Sequence, residues 1–297
     1  MKRDIILVFF GGTMNGVFGA GVVSALQKAN LYPRIHSIYG ISCGAHNAAY
    51  FLAENTSLGA SIYYKDLIGK NFIKDNKFIF LRKLSSHFVC SRERIPKMID
   101  IDYLVEIEKN KKKLDISKIS KSKIKFYIRV FDIKGMQEKY LSGKTNIFKK
   151  LHASSAIMPF YPKVVKINGR QYADGQVLSK IIDSSLDRVL SRTNKKVIFI
   201  FNMPVRNYLS PKYLFANALW TLFLAMKIKD PRVIKKLNIP SEYFKLRKYL
   251  KKPNFYMINS NIEISPFCKD KKKLIELYNH GINKTNEFLE ENRLIAK

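Results

Sequence analysis

The sequence predicts an α/β fold, a three-layer sandwich in which helices cover both faces of a mainly parallel central sheet. In the first part of the chain, apolar runs of strand length alternate with segments of helical spacing. This alternation is typical of parallel sheets that are buried on both faces. The chain has 297 residues, of which 46% are hydrophobic. That is enough to bury one large core.

The individual elements follow in order along the chain. Strands are predicted at Ile5–Phe10, Ile35–Tyr39, Ile124–Phe131, Lys163–Ile167, Val197–Phe201 and Phe255–Ile258, and helices at about Val17–Ala29, Ala45–Ala53 and Lys271–Ile295. The first apolar run resembles a signal peptide, but it is short and ends at Gly-Gly, so we interpret it as a buried strand. We expect one domain over 1–297, with a helical insertion at about 58–122 and a C-terminal helical region at about 270–297.

The charge of the chain is strongly positive. A formal net charge of +31 and a pI near 10.0 predict attraction to polyanions. An anionic membrane surface is the expected partner, whereas nucleic acid is not, because neither a recognition motif nor a base-stacking platform is present. The excess of lysine could also reflect the base composition of the genome. The run Lys109–Lys123 is either a solvated connection before a strand or an anion-binding patch.

The cysteines and the lengths of the apolar runs indicate which compartment and which cofactors to expect. Three scattered cysteines, Cys43, Cys90 and Cys268, indicate neither a disulfide framework nor a zinc site, so we expect a reducing compartment and no metal or cofactor. No apolar run reaches the roughly 18–20 residues that a spanning helix needs. Tyr213–Met226, which contains Trp220, is either a buried helix or an interfacial lid. These features predict a cytoplasmic protein that associates peripherally with membranes.

Two glycine-rich stretches have the composition of a hydrolase site. The first, GISCGAHN, places Ser42 between Gly40 and Gly44 directly after a predicted strand, as in a G-x-S-x-G nucleophile elbow. The second is FGGTMNG, Phe10–Gly16, which lies between a strand and a helix. The amides of Gly11, Gly12 and Thr13 could there bind a developing oxyanion, although such a loop could also bind a phosphate.

A base for Ser42 is harder to assign from the residues alone. His36 and His46 are poorly placed to take its proton, and nothing in the sequence favours His87, His152 or His280. Asp174, in YADGQV, follows a hairpin whose Asn168-Gly169 is a strong two-residue turn signal. An aspartate at this position can be a turn former, a helix N-cap or a proton acceptor.

Three blocks of this sequence, taken together, resemble the patatin-like phospholipase family: FGGTMNGVFGAGVVSAL, GISCGAHNAAY and HASSAIMPFYPKVVKINGRQYADGQV. The resemblance implies a patatin-like fold and a Ser-Asp dyad. Ser42 would be the nucleophile, and Asp174, in the family's D-G-G or D-G-A motif with Gly175, would accept its proton. The resemblance also implies an oxyanion hole at Gly11, Gly12 and Thr13, and a phospholipid or other acyl lipid as substrate, cleaved through an acyl-enzyme.

The sequence departs from the family pattern at four positions. Thr13 replaces a third glycine, Asn15 replaces a basic residue and Gln176 follows Asp174-Gly175. Cys43 is interpreted as a packing residue rather than a second nucleophile. The changes in the loop leave an alternative open, in which a catalytically impaired protein binds anionic membranes. Candidate segments for an acyl pocket are Leu151–Phe160 and Tyr213–Met226.

Overall fold

The computed structural model describes residues 3–69, 71–74, 97–175, 181–209 and 239–294, and scattered positions between 211 and 226, without the side chains of 208–209 and 239–244. Four residues named in the sequence predictions lie outside the described residues: His87, Cys90, Gln176 and Trp220.

An eight-stranded sheet forms the centre of the molecule. Its strands are β1 (Ile5–Phe9), β2 (Ile35–Ile41), β3 (Lys125–Asp132), β4 (Gln137–Ser142), β5 (Val165–Ile167), β6 (Arg170–Asp174), β7 (Lys196–Phe201) and β8 (Phe255–Asn259). The order is β5-β6-β3-β2-β1-β7-β8, and β4 pairs with β3. Strands β3, β2, β1, β7 and β8 are parallel, whereas β4, β5 and β6 pair antiparallel. The predicted α/β class is confirmed.

Helices cover the sheet. They are α1 (Gly16–Lys28), α2 (Cys43–Leu52), α3 (Thr56–Ser61), α4 (Ile101–Glu106), α5 (Ile116–Lys121), α6 (Ile147–Ser154), α7 (Ser184–Ser191), α8 (Ile239–Leu250) and α9 (Lys271–Glu291). Two π-helical turns, Ile62–Asp66 and Ile107–Lys111, continue α3 and α4. Short 3₁₀ turns lie at Thr13–Asn15, Tyr32–Arg34 and Val205–Leu209.

Strand β1 shows why the chain makes three layers. All five of its side chains are buried. Ile5, Leu7 and Phe9 belong to one apolar cluster, which includes α1, α2 and α9, while Ile6 and Val8 belong to a second cluster, which includes α7. The sequence of a strand with both faces buried is typically a continuous apolar run. The interpretation of this run as a buried strand is therefore confirmed.

The first and last helices pack unusually closely. A Cβ built on Gly21 of α1 would lie 2.1 Å from the carbonyl oxygen of Tyr278, and one built on Gly281 of α9 would lie 2.2 Å from that of Phe18. Both distances are far below contact, so glycine is required at the two positions where these helices meet. Helix α1 begins at the glycine-rich loop, and α9 therefore supports the element that follows this loop.

The sequence left two interpretations open for each of two segments, Lys109–Lys123 and Tyr213–Met226. The stretch that contains Lys109–Lys123 spans the second π-helical turn and α5, and most of its residues are exposed. Described positions between 211 and 226 are helical; Phe215 is 66% and Leu222 41% exposed, whereas Thr221 and Ala225 are buried. The described positions of this stretch are thus not wholly buried, and two of the exposed ones carry large apolar side chains. Among all described residues, no helix combines the length and apolarity needed to cross a membrane.

Candidate active site

Ser42 lies at a sharp turn between β2 and α2. It is the N-cap of α2 with φ 52° and ψ −130°, a left-handed backbone that a non-glycine residue rarely adopts. Its carbonyl accepts the amide of Ala45 at 2.8 Å, so the helix begins at once. Strained backbone of this kind is typical of a nucleophile elbow.

The glycines on either side of Ser42 permit this turn. A Cβ on Gly40 would lie 2.6 Å from the Cα of Ala45, because α2 folds back against its own strand. A Cβ on Gly44 would lie 2.7 Å from the carbonyl oxygen of Phe10 at the end of β1. The G-x-S-x-G spacing is therefore explained by close contact of the elbow with both the strand before it and the glycine-rich loop.

The sheet register brings Ser42 and Asp174 together. Strand β3 has three partner strands but only two edges: β4 pairs with Tyr127–Asp132, while β2 pairs with Lys125–Arg129 and β6 with Val130–Asp132. Strands β2 and β6 therefore share one edge and meet end to end. Ile41 lies opposite Arg129, and Asp174 lies opposite Val130. Successive strand residues are about 3.3 Å apart, so the ends of the two strands converge.

Backbone contacts hold this junction. The Ser154 hydroxyl accepts the amide of Ser42 at 2.8 Å and donates to the carbonyl of Arg129 at 2.7 Å. The Asp174 amide donates to Ala156 at 3.2 Å. A Cβ on Gly175 would lie 2.6 Å from the Arg129 carbonyl oxygen, so this position also requires glycine. Asp174 is fully buried, which removes its carboxyl group from bulk water.

The glycine-rich loop adjoins the elbow. Thr13 adopts φ 51°, which is strained for a β-branched residue. A Cβ on Gly16 would lie 2.6 Å from the Cys43 sulfur, and the Thr13 backbone hydrogen-bonds the same thiol. Loop and elbow thus meet around Cys43. Burial, with a smaller contribution from Asp174, raises the pKa of this thiol to about 12, which agrees with the interpretation of Cys43 as a packing residue.

Two asparagines that the sequence did not single out for this purpose anchor the loop. Buried Asn15 donates to the carbonyl of Ile264 at 2.9 Å and accepts its amide at 3.0 Å. Buried Asn202, just after β7, donates to Phe10 at 2.6 Å and accepts the Gly19 amide at 2.9 Å. In place of a basic residue, the loop is therefore held by paired amide contacts. Only the location of Asn202 after a buried strand could have drawn attention to it.

The side chains of three described histidines, His36, His46 and His152, hydrogen-bond groups other than Ser42. His46 lies between Glu108 and Ser155, at 2.6 and 2.8 Å from their side-chain oxygens. His152 contacts Tyr161 at 2.8 Å, and His36 contacts Ser37 at 3.2 Å. Burial is the main cause that lowers the pKa of His36, His152 and His280.

A cavity opens beside Ser42. It encloses about 530 Å³ of empty space when its open mouth is included. Its apolar walls come chiefly from the inserted segment, and the lining includes Met14, Ile62, Leu67, Phe72, Ile101 and Leu104. From the predicted stretch Leu151–Phe160, Ser155 and Ile157 line it. No motif in the inserted segment had indicated that it would line a pocket.

The family of the chain can be assigned from its sequence. The model of the family "Patatin-like phospholipase" matches residues 7–182, more than half of the chain. The chain belongs to the patatin-like phospholipase family. The match to this family includes the glycine-rich loop, the Ser42 elbow and Asp174. The family is one of hydrolases.

Two individual proteins are similar to this member of the patatin-like phospholipases. The Escherichia coli K12 protein YjjU, described as uncharacterised, is 24% identical over 254 residues; the match covers 84% of this chain and 65% of YjjU. The crystal structure of VipD from Legionella pneumophila superposes with a TM-score of 0.47 at 14% identity, covering 97% of this chain and 67% of VipD. This chain therefore spans about two thirds of the length of each relative.

Proposed function

We propose that the protein is a phospholipase A-like acyl hydrolase in which Ser42 is the nucleophile and Asp174 accepts its proton. The observation that carries the proposal is the end-to-end junction of β2 and β6 on one edge of β3. It supports a direct approach of the two side chains from segments far apart in the chain. A serine on a strained elbow beside a buried carboxylate is the arrangement that nucleophilic catalysis requires.

The reaction proceeds in two halves. Ser42 Oγ attacks the ester carbonyl while Asp174 takes its proton, and the amides of Gly11, Gly12 and Thr13 stabilise the oxyanion. The bond from the carbonyl carbon to the alcohol oxygen then breaks, and the alcohol takes the proton from Asp174. An acyl group remains on Ser42. Water, activated by the same carboxylate, releases the fatty acid. Asp174 is fully buried, so bulk water does not surround the carboxylate that takes the proton.

The cavity supports a lipid as substrate. Its apolar wall adjoins Ser42, so an acyl chain can lie along it while the ester meets the elbow. The net charge of +31 favours adsorption to an anionic bilayer, where each lysine or arginine close to the surface contributes about 1 kcal/mol. Exposed Phe215 and Leu222 are apolar groups that can enter such an interface.

Fatty acid release from vesicles tests the proposal. The wild type, Ser42→Ala and Asp174→Asn would be compared on zwitterionic and anionic phospholipid vesicles, with Ser24→Ala as a control for loss of a hydroxyl elsewhere. We expect each site variant to lose more than about 99% of the activity, the control to keep it, and anionic vesicles to be preferred at low salt. Activity retained in folded Ser42→Ala protein would refute the proposal.

The strained Thr13 favours a second candidate function. A loop that holds a β-branched residue at φ 51° can present its amides less freely than one with glycine there. The alternative is an impaired hydrolase that binds anionic membranes. In that case the wild type would bind anionic vesicles, release no fatty acid from either vesicle type and leave Ser42 unlabelled by a fluorophosphonate.

A further inference from the structure

Three buried side chains in the cavity wall form a hydrogen-bonded chain that the proposed Ser42 reaction does not use. Ser155 Oγ lies 2.8 Å from His46 Nε2, and His46 Nδ1 lies 2.6 Å from Glu108 Oε1. Ser155 and His46 are each 5% exposed and Glu108 is 0% exposed. All three line the cavity beside Ser42.

The acid fixes the direction of these hydrogen bonds. Nδ1 faces the Glu108 carboxyl group and Nε2 faces the Ser155 hydroxyl, so a neutral imidazole that donates from Nδ1 to the carboxylate accepts at Nε2. The Ser155 hydroxyl then donates to Nε2. This is the order of roles in a serine–histidine–acid triad, which is recognised by geometry and not by sequence position. We propose that Ser155, His46 and Glu108 form a second nucleophilic centre, which accepts acyl groups from esters bound in the cavity.

The location of this centre fits the same class of ligand. His46 is four residues after Ser42, and its backbone amide donates to the Ser42 carbonyl at 3.4 Å. Ser155 follows Ser154, whose hydroxyl binds the Ser42 amide. An ester that enters the apolar cavity therefore meets two serine hydroxyls. The choice of an acyl ester as ligand rests on the proposed function, whereas the reactivity of Ser155 does not.

The chemical step balances within the triad. Ser155 Oγ forms a bond to the ester carbonyl carbon, and its proton moves to His46 Nε2 while Glu108 stabilises the imidazolium. The bond from this carbon to the alcohol oxygen then breaks, and the alcohol takes the proton from His46. Water attacks the resulting acyl-Ser155 with His46 as base. The acid is released and the hydroxyl is restored.

Nearby backbone amides make Ser155 the slower of the two centres. The amides of Ala156 and Ile157 already donate to Ala153 and Ser155 at 3.3 and 2.8 Å, so they supply no oxyanion hole. Ser155 also ends α6, where the helix dipole disfavours a developing negative charge. Loss of one oxyanion donor costs about 10²–10³ in rate. Ser155 should therefore react more slowly than Ser42 by at least about 10²–10³.

Fluorophosphonate labelling in a Ser42→Ala background tests the proposal, with the labelled residue identified by peptide mass spectrometry. Nucleophilic attack forms the Ser155 Oγ–P bond, fluoride leaves and the proton passes to His46. We expect slow labelling at Ser155 that is absent after Ser155→Ala. Each of two further changes in the same background should reduce it at least about tenfold: Glu108→Gln, because a glutamine amide can donate to Nδ1 and place the imidazole proton on Nε2, and His46→Gln, because it removes the base.

The controls separate reactivity from folding. Ser61→Ala in the Ser42→Ala background removes another buried hydroxyl, which donates to Leu58, and should leave the rate unchanged. A thermal melt of each variant establishes that it is folded. No label at Ser155, or a label whose rate is unaffected by Glu108→Gln, overturns the second centre. Labelling of Ser42 in the wild type tests the proposed function separately, so the two failures are distinguishable.

Discussion

Asn202 accepts the Gly19 amide through Oδ1 at 2.9 Å and so ties the end of β7 to the first turns of α1. Its Nδ2 donates to the carbonyls of Phe10 and Gly11, at 2.6 and 3.2 Å. A Cβ on Gly19 would lie 2.6 Å from this Oδ1, so glycine is needed for the contact. One buried amide thus holds the start of the glycine-rich loop and the first turn of the helix that follows it.

Asn202→Leu should destabilise the fold by about 2–4 kcal/mol, because it leaves buried backbone donors and acceptors without partners. Chemical denaturation would measure this change, and lipid hydrolysis should fall with it. Asn55→Ala removes an exposed asparagine side chain that makes no capping hydrogen bond and should change the free energy of unfolding by less than about 0.5 kcal/mol. Equal effects of the two substitutions would contradict the anchoring role of Asn202.

Thr13→Gly should stabilise the protein by about 0.5–1 kcal/mol. Relief of the left-handed backbone, worth about 1–2 kcal/mol, exceeds the entropic cost of glycine. Urea unfolding measures the gain, and we expect hydrolysis to be retained at least at the wild-type rate. Asn30→Gly is the matched control, since Asn30 has φ 52° and lies on the exposed surface after α1. It should give a smaller gain, because asparagine tolerates this conformation better. A large loss of activity in Thr13→Gly alone would instead assign a role to the threonine side chain.

Gly21→Ala should cost about 2–3 kcal/mol, because the added methyl group would lie 2.1 Å from the Tyr278 carbonyl oxygen and force α1 and α9 apart. Thermal and chemical unfolding would report the loss. Gly69→Ala adds the same methyl group where nothing lies within 4 Å and should be nearly neutral. A neutral Gly21→Ala would show that the two helices can separate at little cost.

Acid should weaken the contacts of Asp102. Burial opposes ionisation of this carboxyl group, but hydrogen bonds from Lys97 and Tyr161 outweigh it and lower its pKa to about 2. Because the unfolded-state pKa is near 3.8, the stabilisation is present above that pH and is lost as the pH falls through about 2. Asp102→Asn should therefore be less stable than the wild type near neutral pH, with a difference that shrinks towards about pH 2.

Melting curves of both proteins between about pH 2 and pH 7 would check this prediction. Lys97→Met is the control for the other member of the Lys97–Asp102 pair. It keeps the carboxyl group but removes a cation beside it. Its loss of stability relative to the wild type should therefore also shrink over this pH interval. A difference between wild type and Asp102→Asn that is constant with pH would contradict the assignment.

Much of the fold could be predicted because local patterns determined it. The apolar runs of β1, β2 and β7 lie in the middle of the sheet, and their bounds differ from the prediction by no more than two residues. The turn signal Asn168-Gly169 also forms the β5–β6 hairpin, with positive φ at both residues. Strand β4 was missed because its sequence, QEKYLS, is polar and has no apolar run.

The site could be predicted only where its residues lie in short motifs. Ser42, Asp174 and the loop from Gly11 to Thr13 were proposed from such motifs, and their catalytic roles stay predictions. Glu108 lies beside a run of charged residues, where solvation is the ordinary expectation, yet its side chain is fully buried against His46. Its partner is 62 residues away, and no local spacing could indicate that contact.

The placement of β7 has a consequence for any attempt to isolate the part of the chain that matches the family. Residues 7–182 contain the family motifs, but β7, β8 and α9 lie beyond them. A fragment ending at residue 182 would expose one whole edge of β1, the strand that leads into the glycine-rich loop, as an open template for intermolecular pairing. It would carry every motif and aggregate rather than fold, because the unit recognised by sequence is smaller than the unit that is stable.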